Sequence, residues 1–104
     1  MNLKKMMQQA QRMQEEMLNT QAELGKKEVE ATAGGGKVVV RANAAGEILS
    51  IKIDPSVVDA TDVEMLEDLV LSGVKKAIDD GKALASREMS KVTAGLQLPP
   101  GLGF

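Results

Sequence analysis

Cysteine and histidine are both absent from the 104 residues of this chain. Their absence removes disulfides, thiolate nucleophiles, the common zinc and iron ligands and the usual general base near neutral pH. A reducing cytoplasm is the compartment such a composition permits. Tryptophan and tyrosine are missing too, and the one phenylalanine is Phe104. With so few rings, unpaired bases have little to stack on, which disfavours readers of single-stranded nucleic acid. No apolar run approaches the roughly 20 residues that a bilayer requires, and the N-terminus alternates Met with Lys and Gln where a signal peptide would be apolar. No membrane partner is expected.

What is present amounts to one domain: an apolar content of 43% supports a single modest core. A domain over residues 1–94 and an extended tail over 95–104 are expected, because GLQLPPG brings two prolines and two glycines together. From Leu3 to Leu24 the apolar residues Leu3, Met6, Ala10, Met13, Met17 and Leu24 recur every three or four positions, which predicts an amphipathic helix. The period then changes to two. Val29, Ala31 and Ala33 form one alternating run, and Val38, Val40 and Ala42 a second. Leu49, Ile51 and Ile53 form a third, which Asp54-Pro55 ends. Short connections make these an antiparallel meander. Thr61 with Glu64 three residues later has capping-box spacing, and Val63 to Val92 then keep one helical face apolar for about thirty residues. The fold class is therefore α+β, ordered α-β-β-β-α, with two long helices.

A sheet of three short strands cannot cover both helices from end to end, so their overhanging apolar stripes predict an intertwined or helix-paired homodimer. Leu3, Met6, Ala10, Met13 and Met17 are assigned to its seam. Gly73, Ala77 and Gly81 join them, because glycine within a helix costs up to about 1 kcal/mol and close approach of another helix would justify it. Simple tolerance of the two glycines has equal weight at this point.

Catalytic patterns fail on inspection. The glycine run before Lys37 would need glycine at Ala31 and Ser or Thr at Val38 to be a phosphate loop, and it leads into a strand instead of a helix. The acids Asp59, Asp62, Glu64, Glu67 and Asp68 lack calcium-loop spacing and suit the positive end of a helix dipole. No metal, cofactor or small-molecule substrate is expected, and no enzymatic activity. A hydrolase or transferase using only Asp, Glu, Ser or Lys would need convergent polar groups that no motif here suggests.

Thirteen basic and fifteen acidic residues give a net charge of −2, but they are unevenly spread. Residues 54–68 carry six acids and no base, whereas residues 1–14 carry Lys4, Lys5 and Arg12 and no acid. Antiparallel helices would bring those three near Lys82, Arg87 and Lys91, a basic end suited to duplex phosphates. Arg87 and Lys91 also fit a helix C-terminus on dipole grounds alone; Lys4 and Lys5 oppose the dipole at an N-terminus, so stability does not explain them.

Four segments carry a resemblance: MQQAQRMQEEM from Met7 to Met17, IDPSVV from Ile53 to Val58, EMLEDLV from Glu64 to Val70 and GLQLPPG from Gly95 to Gly101. Together they resemble the YbaB/EbfC family of bacterial nucleoid-associated proteins over nearly the whole chain. That resemblance implies a cytoplasmic, nucleoid-associated homodimer that binds double-stranded DNA with little sequence preference, alters its conformation and helps organise the nucleoid, with gene regulation as an extension. Relatives commonly carry a glycine-rich leader before the first helix, whereas this chain enters it almost at once, so no leader-borne DNA contact is expected. The second reading is a protein-interaction adaptor whose Met-rich helix or LPPG tail engages a DNA repair or replication protein.

Overall fold

The computed structural model describes residues 2–95, with side chains through Val92. Its elements run in the expected order: α1 (Leu3–Leu24), β1 (Glu28–Ala33), β2 (Val38–Asn43), β3 (Ile48–Ile53), a short 3₁₀ turn (Pro55–Val57) and α2 (Val63–Gly95). Gly95 closes α2, and the rest of the expected tail lies outside the described residues. The strands form one antiparallel sheet in the order β1-β2-β3.

The β1–β2 turn uses Gly34, Gly35 and Gly36 at φ of 61, 67 and 91°, a left-handed run that side chains resist. Val38, Val40 and Ala42 then point inward with Ala31, Ala33 and Ala77 to form the core. Val38 and Val40 are fully enclosed, at 0% exposure. These side chains are small, so α2 can lie close to the sheet.

That closeness explains the two helix glycines. A Cβ on Gly73 would stand 2.9 Å from Val40 Cγ2, and one on Gly81 would stand 2.7 Å from the carbonyl oxygen of Asn43. Ala77, one turn from each, is fully buried. Gly73, Ala77 and Gly81 therefore face the chain's own sheet and do not line a seam with a second chain. Their smallness serves an intramolecular contact that spacing alone could not distinguish from an intermolecular one.

Two local expectations change as well. Asp62, not Thr61, caps α2: its carboxylate accepts from Met65 N at 3.3 Å, while the Thr61 hydroxyl donates to Asp59 at 2.7 Å and closes the preceding turn. The ladder between β2 and β3 shifts at Arg41/Ala42, so Ile48 stands opposite Ala42. This bulge takes Leu49 out of the inward alternation, leaving Ile48, Ile51 and Ile53 on the core side.

α2 crosses β1 and β2 and hardly touches β3. Ile51 and Ile53, on the same face as the enclosed Val40 and Val38, remain 42% and 39% exposed. α1 is fixed only at its end, where Leu24 is buried; the rest of its residues are exposed or half-buried. The result is a molecule measuring 71 × 24 × 16 Å.

Candidate nucleic-acid interface

The junction between α1 and the rest of the chain is built around Asn43, a buried polar side chain at the end of β2. Its amide donates to the Gly25 carbonyl at 3.2 Å and to Glu47 Oε1 at 2.9 Å, and its Oδ1 accepts from Ala45 N at 3.1 Å and Glu47 N at 3.0 Å. All the hydrogen-bonding capacity of one buried amide is thus spent on holding the end of α1 to the β2–β3 turn. Ala44 N adds a bond to the Lys27 carbonyl at 2.9 Å. Nothing in the sequence pattern singled Asn43 out, because it ends a strand of small apolar residues and reads as turn punctuation.

Glu88 makes the second tie. Its carboxylate lies 3.5 Å from Lys27 Nζ and 3.2 Å from Lys91 Nζ. The hydrogen bond from Lys91, with the charge of Lys27, holds the Glu88 carboxyl below the usual carboxylate range. Lys91 is consequently held by a carboxylate, whereas Lys82 and Arg87 are exposed and make no ion pair among the described residues.

The tie also determines which end of α1 meets α2. Lys27 stands directly after α1, so the end of that helix, not its start, lies beside Glu88. Lys4 is twenty residues back from Leu24, about 30 Å along the helix, while α2 continues only seven residues, about 10 Å, past Glu88. Lys4, Lys5 and Arg12 therefore do not join Lys82, Arg87 and Lys91 in one patch, as the antiparallel-helix argument expected. That argument took the two helices to overlap fully, and the junction at Asn43 and Glu88 sets them end to side.

One chain instead carries two basic groups. On α1, Lys4, Lys5 and Arg12 are exposed and free of ion pairs among the described residues. Lys5 and Arg12 are seven residues apart, so they share one face of the helix, away from the stripe of Leu3, Met6, Ala10, Met13 and Met17. The Asn2 side chain accepts from the backbone of Lys4 at 3.0 Å and of Lys5 at 3.4 Å, so this helix start is capped despite its cations. On α2, Lys82 and Arg87 are joined by Lys75 and Lys76, two exposed and equally unpaired cations that the reading of charges by chain segment passed over. The adjacent pair Lys75-Lys76 was the available signal.

The acids lie elsewhere. Asp54 accepts from Ser56 N at 2.8 Å and pairs with Lys37 at 3.5 Å; the Ser56 bond is the main reason its carboxyl sits below the ordinary range. Asp59 is lowered likewise by Thr61, which donates through both hydroxyl and backbone. These carboxylates cap turns at the start of α2, away from the free cations of α1. Arg41, in mid-sheet, is taken up by Glu28. The arrangement offers exposed, unpaired cations in two places on an elongated frame, which is the chemistry of a phosphate-binding surface.

Comparison with known proteins bears on the same point. A family model described as the YbaB/EbfC DNA-binding family matches residues 1–96. A nucleoid-associated protein of Alkaliphilus metalliredigens is 48% identical over 98 residues, spanning 94% of this chain and 86% of that protein. One from Clostridium novyi is 50% identical over 99 residues, spanning 95% of this chain and 87% of that protein. One from Akkermansia muciniphila is 43% identical over the full length of both. The crystal structure of an uncharacterized Helicobacter pylori protein superposes with a TM-score of 0.63 at 20% identity, covering 75% of this chain and 90% of that one, and supports the fold.

Proposed function

This chain belongs to the YbaB/EbfC DNA-binding family, and from that premise we propose that it acts in the cytoplasm as a homodimeric, nucleoid-associated protein. It binds double-stranded DNA with little sequence preference, alters the path of the duplex and thereby influences expression of the genes it covers. The observation that carries this reading is the set of cations on α1. Lys4, Lys5 and Arg12 stand exposed on a helix that the rest of the chain leaves bare, with no acid among residues 1–14. Lys82 and Arg87 supply a second contact zone. The spread of the two zones suits phosphates some distance apart on a duplex better than a single point of contact, and contacts of this kind carry no sequence information.

The apolar stripe of α1 supplies the dimer seam. Leu3, Met6, Ala10, Met13, Met17, Thr20 and Leu24 follow alternating steps of three and four, the spacing of a two-stranded coiled coil. Leu3 is 70% exposed, and Met6 also lacks cover within the chain. Pairing through this stripe leaves Lys5 and Arg12 on the outside, so dimerisation doubles the cationic face without hiding it.

Gel shifts with unrelated duplexes over a series of salt concentrations test the reading. Affinity is expected to fall steeply with salt. Replacing Lys4, Lys5 and Arg12 together by alanine is expected to weaken all duplexes about equally and to reduce the logarithmic salt slope by up to about three. Unchanged binding by that variant would remove α1 from the interface.

A further inference from the structure

A second surface of the molecule is unfilled, at the opposite end from the α1 cations. Ile53 of β3 and Leu66, Glu67, Val70, Leu71 and Val74 of α2 enclose an open groove of about 450 Å³, lined by apolar side chains and one carboxylate. It exists because α2 covers β1 and β2 but leaves β3 bare. Leu71 on its rim is 52% exposed. β3 is also the sheet edge, paired on one side only.

The charges beside this groove follow an order that identifies its occupant. By helical spacing, Glu64, Glu67, Leu71, Lys75, Ile78 and Lys82 fall along one stripe of α2. The acids precede Leu71 and the bases follow it. All four charged residues are exposed, and none takes part in an ion pair among the described residues. A duplex would be repelled by the acidic half, and an acidic or basic peptide would match only one half. A copy of the same stripe laid antiparallel, with its twofold axis at Leu71, matches both, because Glu67 then faces Lys75 of the second copy and Lys75 faces its Glu67. The same operation sets Leu71 against its own counterpart over the groove.

We propose that this groove is a self-association surface, occupied by the same α2–β3 face of a second copy about a twofold axis at Leu71. The inference rests on the reading that copies of this chain associate, but it is independent of the α1 seam. If both surfaces are used between different neighbours, the assembly grows beyond a dimer.

Charge reversal tests it without disturbing the core, since both residues are exposed. Sedimentation of Glu67→Lys and of Lys75→Glu, each of which creates like-charge facing pairs, is expected to show association weakened by about tenfold or more. The double variant Glu67→Lys/Lys75→Glu is expected to regain the original mass. Because the chain has no cysteine of its own, Leu71→Cys gives a clean second readout, forming a disulfide-linked pair under mild oxidation. Single reversals that sediment as the original chain does, or a double variant no better than the singles, would overturn the proposal and leave the groove for a foreign partner. Gel shifts on the same samples separate this from the DNA reading: duplex binding retained alongside an unchanged mass sinks the groove alone. Loss of duplex binding in the α1 triple variant with the reversal pattern intact leaves the groove standing.

Discussion

The two helices of this protein are amphipathic to similar degrees of regularity, yet the chain uses them in opposite ways. α2 settles on β1 and β2 through Gly73, Ala77 and Gly81, so closely that the two glycines have no room for a methyl group. α1 is anchored at Leu24, Gly25 and Lys27, and its stripe of leucine and methionine lies uncovered. The difference teaches that helical periodicity reports a face to be buried without reporting what buries it. Small residues at the sheet contact allow the chain to satisfy α2 by itself, whereas the bulkier methionines of α1 await a second surface.

Substitutions at the close contacts should break this contrast most severely. Gly81→Val places branched carbon where a Cβ alone would meet the Asn43 carbonyl oxygen at 2.7 Å; backbone cannot give way as a side chain can, so a loss of about 3 kcal/mol or more is expected in urea unfolding. Gly73→Ala meets only a valine methyl at 2.9 Å and gains helix propensity, so its cost should stay near 1 kcal/mol.

Asn43→Ala comes next. It strands the Gly25 carbonyl and the amides of Ala45 and Glu47, and a loss of about 1–3 kcal/mol is expected. Since Asn43 holds the end of α1, hydrogen exchange should quicken at the junction before it does so in the core strands.

Acidification should act more weakly and on the α2 side. The carboxyls of Asp54, Asp59 and Glu88 all lie below their ordinary values of 3.8, 3.8 and 4.5 in the folded chain. Each therefore contributes fully above the unfolded value, and the contribution disappears as pH falls through the lower folded one. Stability should be flat above about pH 5 and decline below about pH 4. Glu88→Gln should flatten part of that decline. It also releases Lys27 and Lys91 from their shared carboxylate, so duplex affinity should rise a few-fold and the salt slope steepen by up to about one.

The smallest effect on unfolding should come from the other half of the comparison. Gln in place of Leu3 and Met6, both largely exposed, should change the monomer's unfolding free energy by less than about 0.5 kcal/mol. Association through α1, measured by sedimentation, should nevertheless weaken. A large unfolding penalty at constant mass would mean that α1 folds back on its own chain.

Much of this molecule was legible as pattern. The switch from a period of three and four to a period of two placed every helix and strand in order, and the acid-free start of α1 marked its cations as exposed. The cap of α2 was read one residue early, because two hydroxyl- and carboxyl-bearing residues adjoin and only the Thr61–Asp59 bond shows which is engaged. The inward face of β3 was read with Leu49 in place of Ile48, since a bulge leaves no trace in alternation until the partner strand is aligned. The six-cation patch failed for a larger reason: charge order along a chain becomes charge order in space only when the helices' overlap is known.

By itself the sequence determined the elements, their order and which face of each is apolar, because those follow from local periodicity and from the conformations that glycine and proline permit. Only the tertiary structure decided that α2 takes the sheet, that α1 is held at its end by Asn43 and Glu88, and that β3 is left uncovered beside Leu71. Those outcomes depend on distances between residues far apart in the chain. A difference as small as one methyl group at Gly73 or Gly81 settles whether the sheet and the helix can meet.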